Sequence, residues 1–378
     1  MIFQTAGSLV DKTAQEGPGA QSEEYVAEVL NVIGQVLIFN GITKFTSSWF
    51  DGRERVMATA LIILFSLLGN YTVDWITLVY FKNQPIVGEG LLGQSDDNPT
   101  TLYDVIDSFK LVEFIMNLVL TLLIFWLFES QPDGLYPTKS QQYYRSKIYE
   151  PQADVKYLIK YKEFRIYAVI LSFLLALIDV VPEIEFNFAF VEAQTSDGVV
   201  AIVTIWGPVL FAASLLASAI VLMCFSQTNA AYKRYLLLLL FALTASLAFS
   251  IVAFASTSAS FYGLAMAVQM IVMGALKLVV YEFITEISFP VSPCYALGIL
   301  HAFSGLLTMI VSMLGMDIIN ADPLNTSYVF EVMIVALVVC VWAFFVFLRQ
   351  PYKLNRTDFD FDRRATMVAS YGGSKKAL

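Results

Sequence analysis

Hydrophobic residues in this chain form long unbroken runs instead of the one-sided stripes of soluble helices or the alternation of soluble strands. A helix that crosses a membrane needs about 20 mostly apolar residues, because its backbone groups find no water in the hydrocarbon. Nine runs approach this length, at 25–49, 56–81, 108–128, 164–181, 199–225, 233–256, 260–286, 294–316 and 328–348. The pattern predicts an all-α polytopic membrane protein with about nine transmembrane helices.

Two of the nine runs carry polar interruptions. The first contains several polar side chains, and Asp179 with Pro182 shortens the fourth. We expect these two helices to be tilted, buried among other helices or partly interfacial.

Polar segments between the runs predict the domain organisation. A six-helix bundle is a natural half of transporters built from two repeated halves, which a long loop connects. The longest basic segment of this chain has three runs before it and six after it. The predicted parts are an N-terminal extension (1–24), a three-helix remnant of the first half (25–128), a basic central loop (129–163), a six-helix second half (164–348) and a charged tail (349–378).

The distribution of charge supports this helix count. Lys and Arg in short loops stay on the side of the membrane from which the chain inserts. If the nine helices alternate, one side holds nearly all the basic residues of the loops, for example Arg53, Lys139, Lys233 and Arg349, and the other side is acidic. A wrong count would mix the two sets. The C-terminus is therefore expected on the basic side.

Composition excludes several classes of function. The 378 residues are 57% hydrophobic and only 15% charged, with a net charge of -9, which argues against nucleic acid as a partner. No Ser/His/Asp pattern, phosphate loop or metal-ligand spacing occurs, so we expect neither an enzyme nor a bound cofactor or metal. The sole histidine, His301, is expected to be a satisfied core residue. A glycan on the sequon at Asn325 would indicate the plasma membrane or endomembranes, whereas its absence would fit the mitochondrial inner membrane equally well.

Two sequence motifs point to a family. The first has the pattern WF-x-x-x-ER-x-x-AT-A and includes Trp49, Phe50, Glu54 and Arg55. The second has an aromatic-E-x-x-x-E-x-x-aromatic-Pro pattern followed by a glycine, and it includes Glu282, Glu286, Pro290 and Gly298. Both resemble signatures of the major facilitator superfamily, most closely those of the feline leukaemia virus subgroup C receptor-related transporters. The resemblance implies a partial major facilitator fold without its first three transmembrane helices.

The resemblance also implies a function and the surroundings of the first motif. Relatives transport small organic solutes, such as a choline-like cation or a haem-like molecule. The aromatic pair would anchor at the membrane interface, with Glu54 and Arg55 in water on the basic side. This chain departs from the family at pocket positions, where Leu67 and Gly305 replace polar residues. An apolar lining cannot supply the hydrogen bonds that a polar solute needs.

Polar residues inside the predicted helices are candidate functional positions. Glu28, Asn31 and Gln35 share one side of the first helix, which we call the N-terminal polar face. That face is either a translocation path or a surface that packs against a partner chain. Lys277 lies deep in the seventh run, where it could pair with Glu282, Asp74 or Glu113 or extend toward the basic side.

Two functions from different classes follow. The leading hypothesis is a transporter-derived subunit that does not transport but supports a larger membrane assembly, with other membrane chains and the lipid bilayer as partners. It explains the missing helices, the altered pocket and the N-terminal polar face together. The alternative is a major facilitator transporter of a small organic solute, which could need a partner chain.

Overall fold

The structure is a computed structural model that describes residues 40–50, 54–66, 150–192, 207–225, 229–255, 259–321, 326–349 and 355–360, with positions 115, 118, 119, 122, 140, 142 and 143. The chain forms two compact units. One comprises Met1–Gly41 with Leu68–Asp133, and the other Ile42–Leu67 with Gly134–Leu378. Almost all described residues belong to the second unit, which the following paragraphs concern.

Helices account for nearly all of the described residues, and no strand occurs among them. The helical stretches α1 (40–49) and α2 (54–66) come first. They are followed by α3 (Pro151–Lys160), α4 (Lys162–Glu192), α5 (Gly207–Phe225), α6 (Asn229–Ala255), α7 (Ala259–Ser288), α8 (Pro293–Ala321), α9 (Thr326–Arg349) and α10 (Asn355–Asp360). The predicted all-α class is confirmed.

Helices α4 to α9 coincide with the fourth to ninth predicted runs. Within the described residues, these six are the helices long and apolar enough to cross a membrane. Their spans are Lys162–Pro182, Gly207–Cys224, Lys233–Ala253, Phe261–Ser288, Pro293–Val311 and Glu331–Arg349. The first two runs are helical over α1 and α2, and their remaining residues and most of the third run lie outside the described residues.

Helix α4 is longer than the sequence suggested. It continues through Pro182 to Glu192, although proline removes one helical hydrogen bond. Membrane helices tolerate this interruption where neighbouring helices compensate. Up to Val181, one side of α4 is buried against α7, α8 and α9. This agrees with the expectation that the fourth helix is buried among other helices.

Part of the predicted central loop is the amphipathic helix α3. Its start is favourable, since Pro151 stands at the first position and Asp154 lies in the first turn, where the helix dipole attracts negative charge. Leu158 is buried in the main core. The helix was missed because its average hydrophobicity is low and only one side meets the bundle.

Helix α7 occupies the centre of the second unit. It packs most closely on α5 and also contacts α4, α6, α8 and α10. At Gly274 the backbones of α7 and α5 approach so closely that a Cβ atom would collide with the Phe211 carbonyl and the Ser214 hydroxyl. Buried hydroxyls near this contact find partners across helices: Ser218 Oγ donates to the Ala275 carbonyl at 3.2 Å. Close packing and paired polar groups together hold α7 in place.

One end of the bundle is defined by the start of α4 and the end of α7. We call it the basic end, because the sequence predicts that the basic loops lie on the side of the membrane where α4 begins and α7 ends. Tyr167, Phe283 and Phe347 form an aromatic cluster there, with ring centroids 5.1 to 5.6 Å apart. Phe289 and Pro290 lie in the turn between α7 and α8, and their peptide bond is cis. This end holds the first of the two polar sites.

Candidate functional site

Arg55 of α2 forms a buried ion pair with two carboxylates of α7. Its Nη2 atom lies 2.7 Å from Glu286 Oε1 and 3.0 Å from Glu282 Oε2, and its Nε donates to Glu282 Oε2 at 3.1 Å. The acidic residues stand four positions apart, so both face the same side of the helix. Only 5% of Arg55 is exposed. Two motifs that the sequence showed separately therefore meet in one contact.

Hydroxyl groups complete the surroundings of Glu282. The Thr59 hydroxyl, one helical turn after Arg55, lies 3.0 Å from Glu282 Oε1 and 2.9 Å from the Arg55 carbonyl. Thr46 Oγ1 of α1 is 3.1 Å from the same hydroxyl. The contact thus connects α1, α2 and α7.

The C-terminal helix α10 closes the other side of Glu286. The amide and the hydroxyl of Thr357 both donate to Glu286 Oε2 at 2.9 Å. Asn355 Nδ2 donates to the Ile287 carbonyl at 3.3 Å. Through these bonds α10 is attached to the end of α7.

Arg356 extends the connection to two further segments. Its Nε donates to Ser140 Oγ at 3.1 Å, and its Nη2 donates to the Ser47 carbonyl at 3.2 Å. Arg356 is 1% exposed, so its charge is withdrawn from water. We refer to Arg55, Thr59, Glu282, Glu286, Arg356 and Thr357 together as the basic-end network.

The network is electrically balanced, with two guanidinium groups and two carboxyl groups. Burial opposes the charge of Arg55, but Glu282 and Glu286 more than offset this effect and raise the pKa of Arg55 above its usual value. Arg55 therefore stays a cation despite its burial. Such a network closes the basic end with charge-assisted hydrogen bonds.

The expectation for the first motif was half wrong. Glu54 is exposed as predicted, but Arg55 is buried. Neighbouring residues on a helix point about 100° apart, so only one of the pair can face the bundle. A signal was present in the sequence: two acidic residues four positions apart on a predicted transmembrane helix need a cation from another element. Trp49 and Phe50 are half-buried and pack beside Phe45.

Lys277 forms the second polar site with a partner that the sequence analysis did not name. Its Nζ atom lies 2.9 Å from Asp179 Oδ1 of α4. The predicted partner Glu282 instead binds Arg55, and the other two candidates, Asp74 and Glu113, lie outside the described residues. The Lys277 side chain is 12% exposed and that of Asp179 is 45% exposed. The cation is thus enclosed while its carboxylate partner stays accessible.

Tyr281 and His301 lie near this pair. The Tyr281 hydroxyl is 2.9 Å from His301 Nε2, and Tyr281 stands one turn after Lys277 on α7. This contact agrees with the expectation that His301 has a hydrogen-bond partner inside the protein. We call Asp179, Lys277, Tyr281 and His301 the mid-span cluster, since all four lie within membrane spans.

The remaining predicted positions lie apart from both sites or outside the described residues. Glu28, Asn31 and Gln35 are outside, so the role of the N-terminal polar face stays a prediction. Gly298 lies in α8, half-buried. Neither the basic-end network nor the mid-span cluster was assembled by sequence reasoning, although each contains residues that it had singled out.

Comparisons with known proteins show the fold. No protein-family model matches the chain, and a search of curated proteins finds no significant match. Among solved structures, the E. coli fucose:proton symporter FucP aligns over 90% of this chain and 82% of its own, with a TM-score of 0.55 and 13% identity. A bacterial homologue of the iron transporter ferroportin, in an outward-facing state, aligns over 92% of this chain and 80% of its own, with a TM-score of 0.55 and 14% identity.

Because these sequence identities are low, the structural similarity indicates a shared fold and does not indicate a shared substrate. The first of these proteins is a symporter, and the second is a homologue of a transporter. The narrower resemblance to the feline leukaemia virus subgroup C receptor-related family, and the absence of three N-terminal helices, stay predictions. The protein is an integral membrane protein whose fold resembles that of these two solved structures.

Proposed function

We propose that this protein transports a small polar solute by alternating access, with the basic-end network as the reversible closure of one end. Two solved structures with a similar fold support this proposal, one of a fucose:proton symporter and one of a homologue of an iron transporter. The main support for the proposal is the buried contact of Arg55 with Glu282 and Glu286.

The chemistry of that contact suits a surface that separates. Buried ion pairs add little stability, because desolvation of the charges offsets their attraction, and apolar residues in their place are often as stable or more so. An apolar contact, however, exposes a hydrophobic surface to water when it opens. Charged groups regain their hydration instead. A charged closure between α2 and α7 can therefore open and close at small net cost.

Cysteine labelling tests whether the basic end opens. The three native cysteines, Cys224, Cys294 and Cys340, are first replaced, and Ser47→Cys is introduced beside Arg356 as the reporter. We expect Arg55→Gln to speed labelling of this cysteine by a membrane-impermeant maleimide.

Two controls separate opening from unfolding. Glu54→Gln changes the exposed neighbour of Arg55 and should leave the labelling rate unchanged. Ser218→Cys, 1% exposed between α5 and α7, should stay protected unless the whole bundle unfolds. Equal labelling of Ser47→Cys with and without Arg55, together with no saturable uptake of any solute into proteoliposomes, would contradict the proposal.

A second candidate function is the accessory subunit that the sequence suggested. It is favoured by the attachment of α10, since Arg356 and Thr357 connect the chain's C-terminal segment to α1, α7 and Ser140. More connections make the closure harder to open, which suits a scaffold. The native mass of the protein after gentle extraction distinguishes the two functions: a large stable assembly without transport supports the subunit, and an isolated chain with transport excludes it.

A further inference from the structure

We propose that the mid-span cluster is the binding site for a zwitterionic solute, a small molecule that carries one ammonium and one carboxylate group. The inference rests on the proposed transport function and adds a substrate class to it. It starts from the ion pair between Lys277 Nζ and Asp179 Oδ1, at 2.9 Å.

Asp179 is more accessible than its place in the chain would suggest. It lies within the span Lys162–Pro182, yet 45% of its side chain is exposed. Asp179 stands three positions before the end of that span, and a carboxylate inside a span is costly against lipid and generally faces a watery path or a ligand. The residues on either side of it, Ile178 and Val180, are buried. The exposed side of the carboxylate therefore marks a place that water or a polar solute reaches.

Charge balance selects the class of solute. A cationic solute that takes Asp179 leaves Lys277 without its partner, and an anion that takes Lys277 leaves Asp179 alone. An uncompensated charge in a low-dielectric site is strongly unfavourable. A solute with both charges can insert between the two side chains and replace one ion pair with two. Of the three charge types, the zwitterion alone leaves every group neutralised.

The hydrogen bond between Tyr281 and His301 fixes the position of the side chains beside this site. Tyr281 lies one turn from Lys277 on α7 and is fully buried, and its hydroxyl is held by His301 Nε2 at 2.9 Å. The contact joins α7 to α8, while the ion pair joins α7 to α4. Three helices therefore hold the cluster, so a solute bound there is sensitive to their relative movement.

Binding to the purified full-length protein in detergent tests the inference without requiring transport. Glycine, β-alanine and γ-aminobutyrate provide zwitterions with increasing charge separation, and choline and acetate provide the single charges. We expect at least one zwitterion to bind saturably by calorimetry and to raise the melting temperature, and the single charges to bind much more weakly. Absence of binding by all three zwitterions, or equal binding of choline or acetate, overturns the proposal.

Variants then locate the site. Asp179→Asn and Lys277→Gln should each weaken zwitterion binding by about tenfold to a hundredfold, since each leaves one charge of the bound solute without a counterpart. The exchanged pair, Asp179→Lys with Lys277→Asp, keeps the two charges and should bind better than either single variant. Thr244→Val is the matched control, because its hydroxyl bonds only within α6, to the Leu240 carbonyl. Unchanged binding in both single variants overturns the proposal.

The results separate this inference from the transport function. Zwitterion binding that depends on Asp179 and Lys277, without uptake into proteoliposomes, keeps the site and rejects transport. Saturable uptake of another solute that is unaffected by both single variants keeps transport and rejects the site.

Discussion

Replacement of Arg55 by methionine is the sharpest test of the basic-end network. The substitution keeps most of the side-chain length but removes the charge, so Glu282 and Glu286 are left buried without Arg55. Removal of one partner from a buried ion pair typically costs about 3–5 kcal/mol, because a charge is left uncompensated. Thr59 and Thr357 still donate hydrogen bonds to the two carboxylates, but these donors are neutral and offset only part of the lost stability. We therefore expect Arg55→Met to lower the free energy of unfolding by about 3–5 kcal/mol.

The same reasoning predicts a rescue. When Glu282→Gln is added to Arg55→Met, one guanidinium group, that of Arg356, and one carboxylate, that of Glu286, remain in the basic-end network, so its charges balance again. The neutral amide at position 282 keeps the bond to the Thr59 hydroxyl. Replacement of a whole buried ion pair by neutral groups of similar volume is often close to neutral in stability. The double variant should thus recover most of the loss, although it carries one substitution more than Arg55→Met.

Thermal unfolding in mild detergent measures this difference. Unfolding of membrane proteins is commonly irreversible, so apparent melting temperatures are compared at a single scan rate. Glu54→Gln serves as the matched control, since an exposed substitution usually changes stability by less than about 0.5 kcal/mol. A melting temperature of Arg55→Met equal to that of wild type, or a double variant less stable than the single one, would refute the electrostatic account.

Three further predictions concern other parts of the chain. Gly274→Val should destabilise the fold by about 1–3 kcal/mol in thermal unfolding, because its side chain collides with the Phe211 carbonyl, whereas Gly305→Ala, which meets nothing within 4 Å, should be neutral or slightly stabilising. Arg356→Gln should speed amide hydrogen exchange of α10, whose attachment to Ser140 is weakened, and exchange equal to wild type would show that this bond does not hold the helix. Replacement of all three residues of the N-terminal polar face by leucine should reduce co-purification of partner chains if the protein is a subunit, and unchanged recovery of partners would count against that role.

Sequence reasoning succeeded for the spans because the membrane imposes a local rule. A backbone segment in hydrocarbon must satisfy its own hydrogen bonds, so a long apolar run is helical whatever surrounds it. Helices α5 to α9 follow their runs closely for this reason. The rule weakens where polar residues interrupt a run, and the continuation of α4 through Pro182 depends on neighbouring helices that a local pattern does not contain.

Charge contacts show the opposite case. The sequence singled out Arg55, Glu282, Glu286 and Lys277, but it placed Arg55 in water and did not name Asp179 as the partner of Lys277. Arg55 and Glu282 are 227 positions apart along the chain, and Lys277 and Asp179 are 98 apart. The periodicity of a sequence indicates which residues share a side of one helix, but it does not indicate which other helix packs against that side.

The sequence by itself thus determined that this protein lies in a membrane, where its main helices run, and which intramembrane residues are chemically unusual. Only the tertiary structure decided which of those residues meet. A helix can rotate about its axis and choose among several neighbours at little local cost, and the close approach of α5 and α7 at Gly274 is one contact that removes this freedom. The pairing of charges follows from such packing, because each buried charge is stable only where the neighbouring helix brings its counterpart within hydrogen-bonding distance.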